Sequence, residues 1–104
     1  MTQQMISVED DQEVYVRLGT TSYLLHLYAF RGLMYYDLVV GDETVISGQR
    51  VMSWLWLVPR YKAEGEGNFR FEVYKADGND YVWWEDFNIK FRLCVYGADE
   101  MEDE

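Results

Sequence analysis

What most limits the fold of this chain is a two-residue alternation that runs through most of its length. In Glu13–Leu18, Val14, Val16 and Leu18 fall to one side, with Tyr15 and Arg17 on the other. Ser22–Phe30 continues it, with Tyr23, Leu25 and Leu27 opposed to Leu24, His26 and Tyr28. Further on, Phe69, Phe71 and Val73 alternate with Arg70, Glu72 and Tyr74, and Ile89, Phe91, Leu93 and Val95 alternate with Lys90, Arg92, Cys94 and Tyr96. Extended backbone places every second side chain on one face, so these runs read as half-buried strands. They are rich in Val, Ile, Tyr, Phe and Trp, and Gly or Asp clusters separate them. The stretches "LMYYDLVV", "TVISG", "QRVMSWLWLV" and "YVWW" read as strands too. Such spacing predicts an all-β fold, a single small antiparallel β-sandwich or barrel with short hairpin turns. Only "SWLWLVPRYKAEG" leaves room for a helical turn or an irregular crossover.

With 104 residues the chain is expected to form one domain over residues 1–97, followed by an acidic, flexible tail at 98–104. Nineteen acidic residues face nine Lys plus Arg, for a net charge of −10. Five of those acids lie in the last six residues, so the remainder carries 14 against 9, or −5. Direct binding of nucleic acid is disfavoured, because phosphate affinity rests on clustered cations. No apolar run approaches the ~20 residues of a spanning helix, and "MTQQMISVEDD" has neither the basic nor the apolar part of a secretion signal. Cys94 is alone and has no internal disulfide partner, which fits a reducing compartment. Synthesis in the cytoplasm is the expectation.

Chemistry finds little to work with. His26 lies between Leu25 and Leu27 on a strand, and no nucleophile and orienting carboxylate accompany it in a known pattern. Cys94 sits among strand residues and reads as a small face or core side chain. One His and one Cys cannot make a zinc site, and no glycine-rich phosphate loop occurs. Asp77–Asp80, with Glu85 beyond, has oxygen ligands, but an Asp-Gly hairpin turn explains "DGND" more simply than a calcium loop. The expectation is no enzyme, no cofactor and no metal.

Large aromatics are the positive signal. Trp54 and Trp56 would share one face of a strand, whereas the neighbours Trp83 and Trp84 would point to opposite faces. With nine tyrosines besides, one interior of this size is not expected to bury every ring. Tryptophan, tyrosine and arginine are the residues over-represented in binding hot spots. Trp54, Trp56, Pro59, Tyr61, Trp83 and Trp84 are therefore the candidate partner contacts. A sugar- or small-ligand-binding β-domain with a tryptophan platform is a second reading of the same residues. A third is an acidic inhibitor that mimics nucleic acid.

The arrangement as a whole resembles the small plug-type proteins of the baseplate in contractile-tailed bacteriophages, typified by a cyanophage baseplate plug. The segments that carry the resemblance are "DQEVYVRLGTTSYLLHL", "MYYDLVVGDETVISGQRV", "LWLVPRY", "NFRFEVYKADGND" and "DFNIKFRLCVYG", and the resemblance covers roughly residues 5–97. The chain departs from that pattern at "MSWLWLVP" and in its acidic tail. The resemblance implies a virion structural protein of the tail baseplate, made in the host cytoplasm and without chemistry of its own. It implies contacts with hub, spike, tail tube and wedge or sheath-initiating proteins, with several copies about the tail axis as one arrangement. No membrane and no nucleic acid would be touched directly.

Overall fold

The alternating runs become two antiparallel sheets in a computed structural model that describes residues 1–63, 65–74 and 81–101. Four consecutive strands form the larger sheet: β2 (Asp11–Leu18), β3 (Thr21–Phe30), β4 (Leu33–Val40) and β5 (Glu43–Arg50), after a short β1 (Thr2–Gln4). The second sheet has the order β1-β7-β6, with β6 at Asn68–Val73 and β7 at Phe91–Tyr96. The fold is all-β, and its two open sheets make a sandwich and not a closed barrel.

Two-residue turns link the strands of the larger sheet, and their chemistry follows the twist of a hairpin. Between β3 and β4, Arg31 and Gly32 both have positive φ (51° and 79°), as a type I′ turn requires. The register that results aligns Val14, Leu25, Leu38 and Ile46 in one row across four strands. Val16 pairs with Tyr23, and Leu27 with Tyr36, on the same inner face. Opposite them, Phe69, Phe71, Phe91 and Leu93 have no exposed surface. Tyr23 meets Phe69 edge-on at 6.1 Å between centroids, which joins the two layers. Burying each such side chain stabilises the fold by roughly 1.5–3 kcal/mol.

Two stretches read as strands from the sequence are something else. The segment 51–59 leaves the larger sheet, where Val51 N–H donates to Met34 O at 2.9 Å, and runs along the outer edge of β6. There Trp54 N–H donates to Phe71 O (2.7 Å) and Leu57 N–H to Phe69 O (2.9 Å). The positive φ of Trp54 (67°) breaks the extended run between these bonds. Asn68 fixes the far end: its Oδ1 accepts from Val58 N–H and its Nδ2 donates to Val58 O. Val51 and the consecutive pair Leu57 and Val58 are buried, so core membership does not alternate here. A single helical turn, Arg60–Ala63, follows, as "SWLWLVPRYKAEG" allowed.

The second exception is "YVWW". Residues 81–83 are outside any strand, and Trp84–Asp86 forms a 3₁₀ turn, with Asp86 N–H donating to Trp83 O and Phe87 N–H to Trp84 O. Val82 and Phe87 anchor this stretch in the core, and Asn88, at φ 67°, donates from Nδ2 to Ile6 O. The strand starts only at Phe91, so Ile89 is exposed and Lys90 is buried, against the alternation. The Asp-Gly turn expected at 77–80 lies outside the described residues, as do positions 102–104.

Candidate partner-contact surface

The outward side chains of β6 and β7 are Arg70 and Glu72, and Arg92, Cys94 and Tyr96, with Arg70 opposite Cys94 and Glu72 opposite Arg92, and Tyr74 follows directly after β6. The irregular segment 51–59 brings Trp54 and Trp56 over this face. The guanidinium of Arg70 lies 5.0 Å from the ring centre of Trp54, 4.2 Å from that of Trp56 and 5.4 Å from that of Tyr96. Trp56 and Tyr96 meet edge-on at 5.4 Å. Arg70 Nε donates to Glu72 Oε2 at 3.0 Å, and the Tyr96 hydroxyl donates to the same oxygen. One buried carboxylate thus holds an arginine whose guanidinium lies within cation–π reach of three rings. Beside it the Arg92 guanidinium sits 4.0 Å from the ring centre of Tyr74.

Next to this cluster, apolar side chains reach solvent. Met52, Trp54 and Leu55 are 47%, 49% and 56% exposed. Three bulky side chains so placed within four residues are uncommon on a molecule with nothing to cover them. Tyr61, beyond Pro59, is also exposed, and Pro59 is half-buried with its carbonyl accepting from Lys62 N–H. Trp83 and Trp84 are half-buried against the rim of the core, 6.2 Å apart, and Trp83 Nε1 donates to Glu85 Oε1. None of the four indoles belongs to the buried core. Ring contacts group them as two pairs: Trp54 with Trp56 through Arg70, and Trp83 with Trp84. Pro59 and Tyr61 join neither pair through a ring contact.

The sequence reading missed Arg70, Glu72, Tyr74, Arg92 and Tyr96 as members of this surface. Their signal was present in the same alternation, as a non-core face that mixed arginine with tyrosine.

The residues weighed for chemistry are accounted for structurally. His26, on the outer face of the larger sheet, has Nε2 at 2.8 Å from Asp11 Oδ1 and Nδ1 at 3.4 Å from Asp37 Oδ2. Partial burial opposes its charge, but the two carboxylates outweigh that and raise its pKa above the ordinary value. Asp37 is itself held by Gly48 N–H at 2.7 Å. Burial pushes the Cys94 thiol up, and no part of that residue is exposed. Among the described residues no group of three His, Cys, Asp or Glu side chains could hold a metal ion, and no helix is long and apolar enough to cross a membrane. At the C-terminal end Ala98–Glu100 makes a 3₁₀ turn, where the Glu100 carboxylate accepts from Gly97 N–H and pairs with the Met1 ammonium.

Comparison with known proteins gives one match to a family and none to a curated protein. The model of the family described as "Cyanophage baseplate Pam3 plug gp18" matches residues 2–98, which is the whole sandwich. No curated protein matches the chain.

Proposed function

Because the chain belongs to the family of the cyanophage baseplate Pam3 plug, a family of structural phage proteins and not of enzymes, we propose that it is a structural component of a phage tail baseplate. Its place is the virion, and it acts through protein–protein contacts. In this reading it joins the hub and spike to the start of the tail tube and to the wedge or sheath-initiating proteins around them. The observation that carries the proposal is the exposed Met52–Trp54–Leu55 stretch beside the Arg70 cluster, within a chain that matches the family almost end to end. Aromatic side chains and arginine are what interface centres favour, and here the rings are held in place before any partner arrives. Of the six candidate contacts, Trp54 and Tyr61 offer the most surface, while Trp56, Pro59, Trp83 and Trp84 frame it.

A sugar-stacking role fits the geometry less well, because Arg70 occupies one face of both Trp54 and Trp56. Mass spectrometry of purified virions tests the proposal directly. The chain should be found in intact tails at a fixed ratio to the spike protein. Tails that contract and infect without it overturn the assignment.

A further inference from the structure

A sandwich of two open sheets has four edges, and three of them are blunted. The edge of β6 is covered by Trp54–Leu57, β1 is only three residues long, and β5 pairs with β4 through register shifts. Edges are commonly protected in these ways, since an exposed row of N–H and C=O groups invites another strand. The fourth edge, β2, is eight residues long, regular in register and free of proline. Among the described residues it pairs with β3 alone.

The parity of that edge is fixed by its hairpin. Leu18 and Thr21 flank a two-residue turn and so form a hydrogen-bonded pair, and Ala29 N–H donates to Asp10 O at 2.8 Å in the same phase. Even-numbered residues of β2 therefore bond to β3, and the backbone groups of Glu13, Tyr15 and Arg17 point away from it. All three residues are exposed, Tyr15 by 71%. Among the described residues neither Glu13 nor Arg17 has an ion-pair partner, and Arg17 uses only Nε, toward Gly19 O.

We infer that the β2 edge is an interface for a second copy of this chain. The two β2 strands pair antiparallel about a two-fold axis at Tyr15, and the four-stranded sheets continue into one of eight strands. In that register Tyr15 faces Tyr15 of the second copy as a hydrogen-bonded pair, and Glu13 faces Arg17 of the second copy on both sides. Val14 and Val16 fall opposite each other on the inner face. Opposite charges meet twice, rings meet once, and the outward backbone groups have the parity the register needs. Sliding one strand by two residues would set Tyr15 against Glu13 or Arg17, and sliding it by four would place Glu13 or Arg17 against its own kind. A contact this small belongs to the low end of specific interfaces, below about 1,200 Å² in total. The dimer is accordingly one of modest affinity, and it does not depend on the baseplate reading.

Sedimentation equilibrium of the full chain, with each variant checked by circular dichroism, tests this. The wild-type protein should dimerise in the micromolar-to-millimolar range, about 1 μM to 1 mM. Glu13→Arg and Arg17→Glu should each weaken the dimer about tenfold, and the double reversal should restore it. Tyr15→Cys places two thiols on facing residues about 5.5 Å apart at Cα, within disulfide reach, and should give a covalent dimer on mild oxidation. Glu13→Cys should not, since its copies would lie about 13 Å apart along the strands. A wild-type chain that remains monomeric at about 1 mM overturns the inference. So does a dimer indifferent to both charge reversals, or one that cross-links through position 13 in preference to 15.

Discussion

At the scale of single residues, Trp54 combines two features that rarely serve a core. Its backbone sits in the left-handed region at φ 67°, and half of its surface is open. A bulky residue held there is strained by the order of 1 kcal/mol. Trp54→Gly removes the ring and the strain together, so its unfolding free energy should stay within about 1 kcal/mol of the wild type. Baseplate assembly should nevertheless fail, and normal assembly by a folded Trp54→Gly chain would remove Trp54 from the contact. His26 gives a prediction of a different kind. Its raised pKa means that Asp11 and Asp37 stabilise the protonated fold. That contribution is complete below the unfolded pKa of about 6.5 and fades as pH rises through the folded value. Thermal melts from acid to alkaline pH should therefore show a loss of stability across neutrality that His26→Gln lacks. A wild-type curve parallel to that of the variant would show that the pairing contributes nothing.

At the scale of elements, the segment 51–59 shows what pattern alone can and cannot fix. Its composition marked it as unusual, and its neighbours β2 to β5 were legible because alternation and turn residues are local signals. The path along β6 was not legible, because it depends on Asn68, ten residues further on, and on the Tyr36 hydroxyl, which donates to Leu57 O at 2.9 Å. The same holds for Trp83 and Trp84, where a 3₁₀ turn anchored by Val82 and Phe87 overrides the strand propensity of "YVWW". The Arg70 cluster stayed hidden because two of its rings arrive from that irregular segment. Asn68→Ala leaves two buried backbone groups of Val58 without partners and should cost about 1–3 kcal/mol in denaturant unfolding. Tyr36→Phe should cost about 1 kcal/mol. Burial pushes the Tyr36 hydroxyl up to about 12, so the native protein should resist alkaline ionisation at that ring until it unfolds. A Tyr36 that titrates with the exposed tyrosines would contradict the buried contact.

At the scale of the whole molecule, the sequence established the fold class and left the partition of strands open. Alternation shows that a strand has an inner face, but strand order is decided by which of those faces meet across the interior. Net charge acts at this scale too. Ten excess negative charges on 104 residues repel one another, and salt shortens their reach from about 30 Å at 0.01 M to about 8 Å at 0.15 M. The melting temperature should therefore rise over that range, and a fall would show that the ion pairs His26–Asp11 and Lys62–Glu43 dominate instead.

The pairing of β1 with β7 sets an order of events in the making of the protein. Thr2 lies against Val95, and Gln4 against Leu93, so the smaller layer cannot close until more than ninety residues have been synthesised. The hairpins from β2 to β5 need only their immediate neighbours and can form much earlier. At roughly 5–20 residues per second, half of the sandwich waits for several seconds with Val16, Leu25 and Leu38 uncovered on the ribosome. During translation the nascent chain is a sticky single sheet, and a chaperone that binds it should release it only once β7 has emerged.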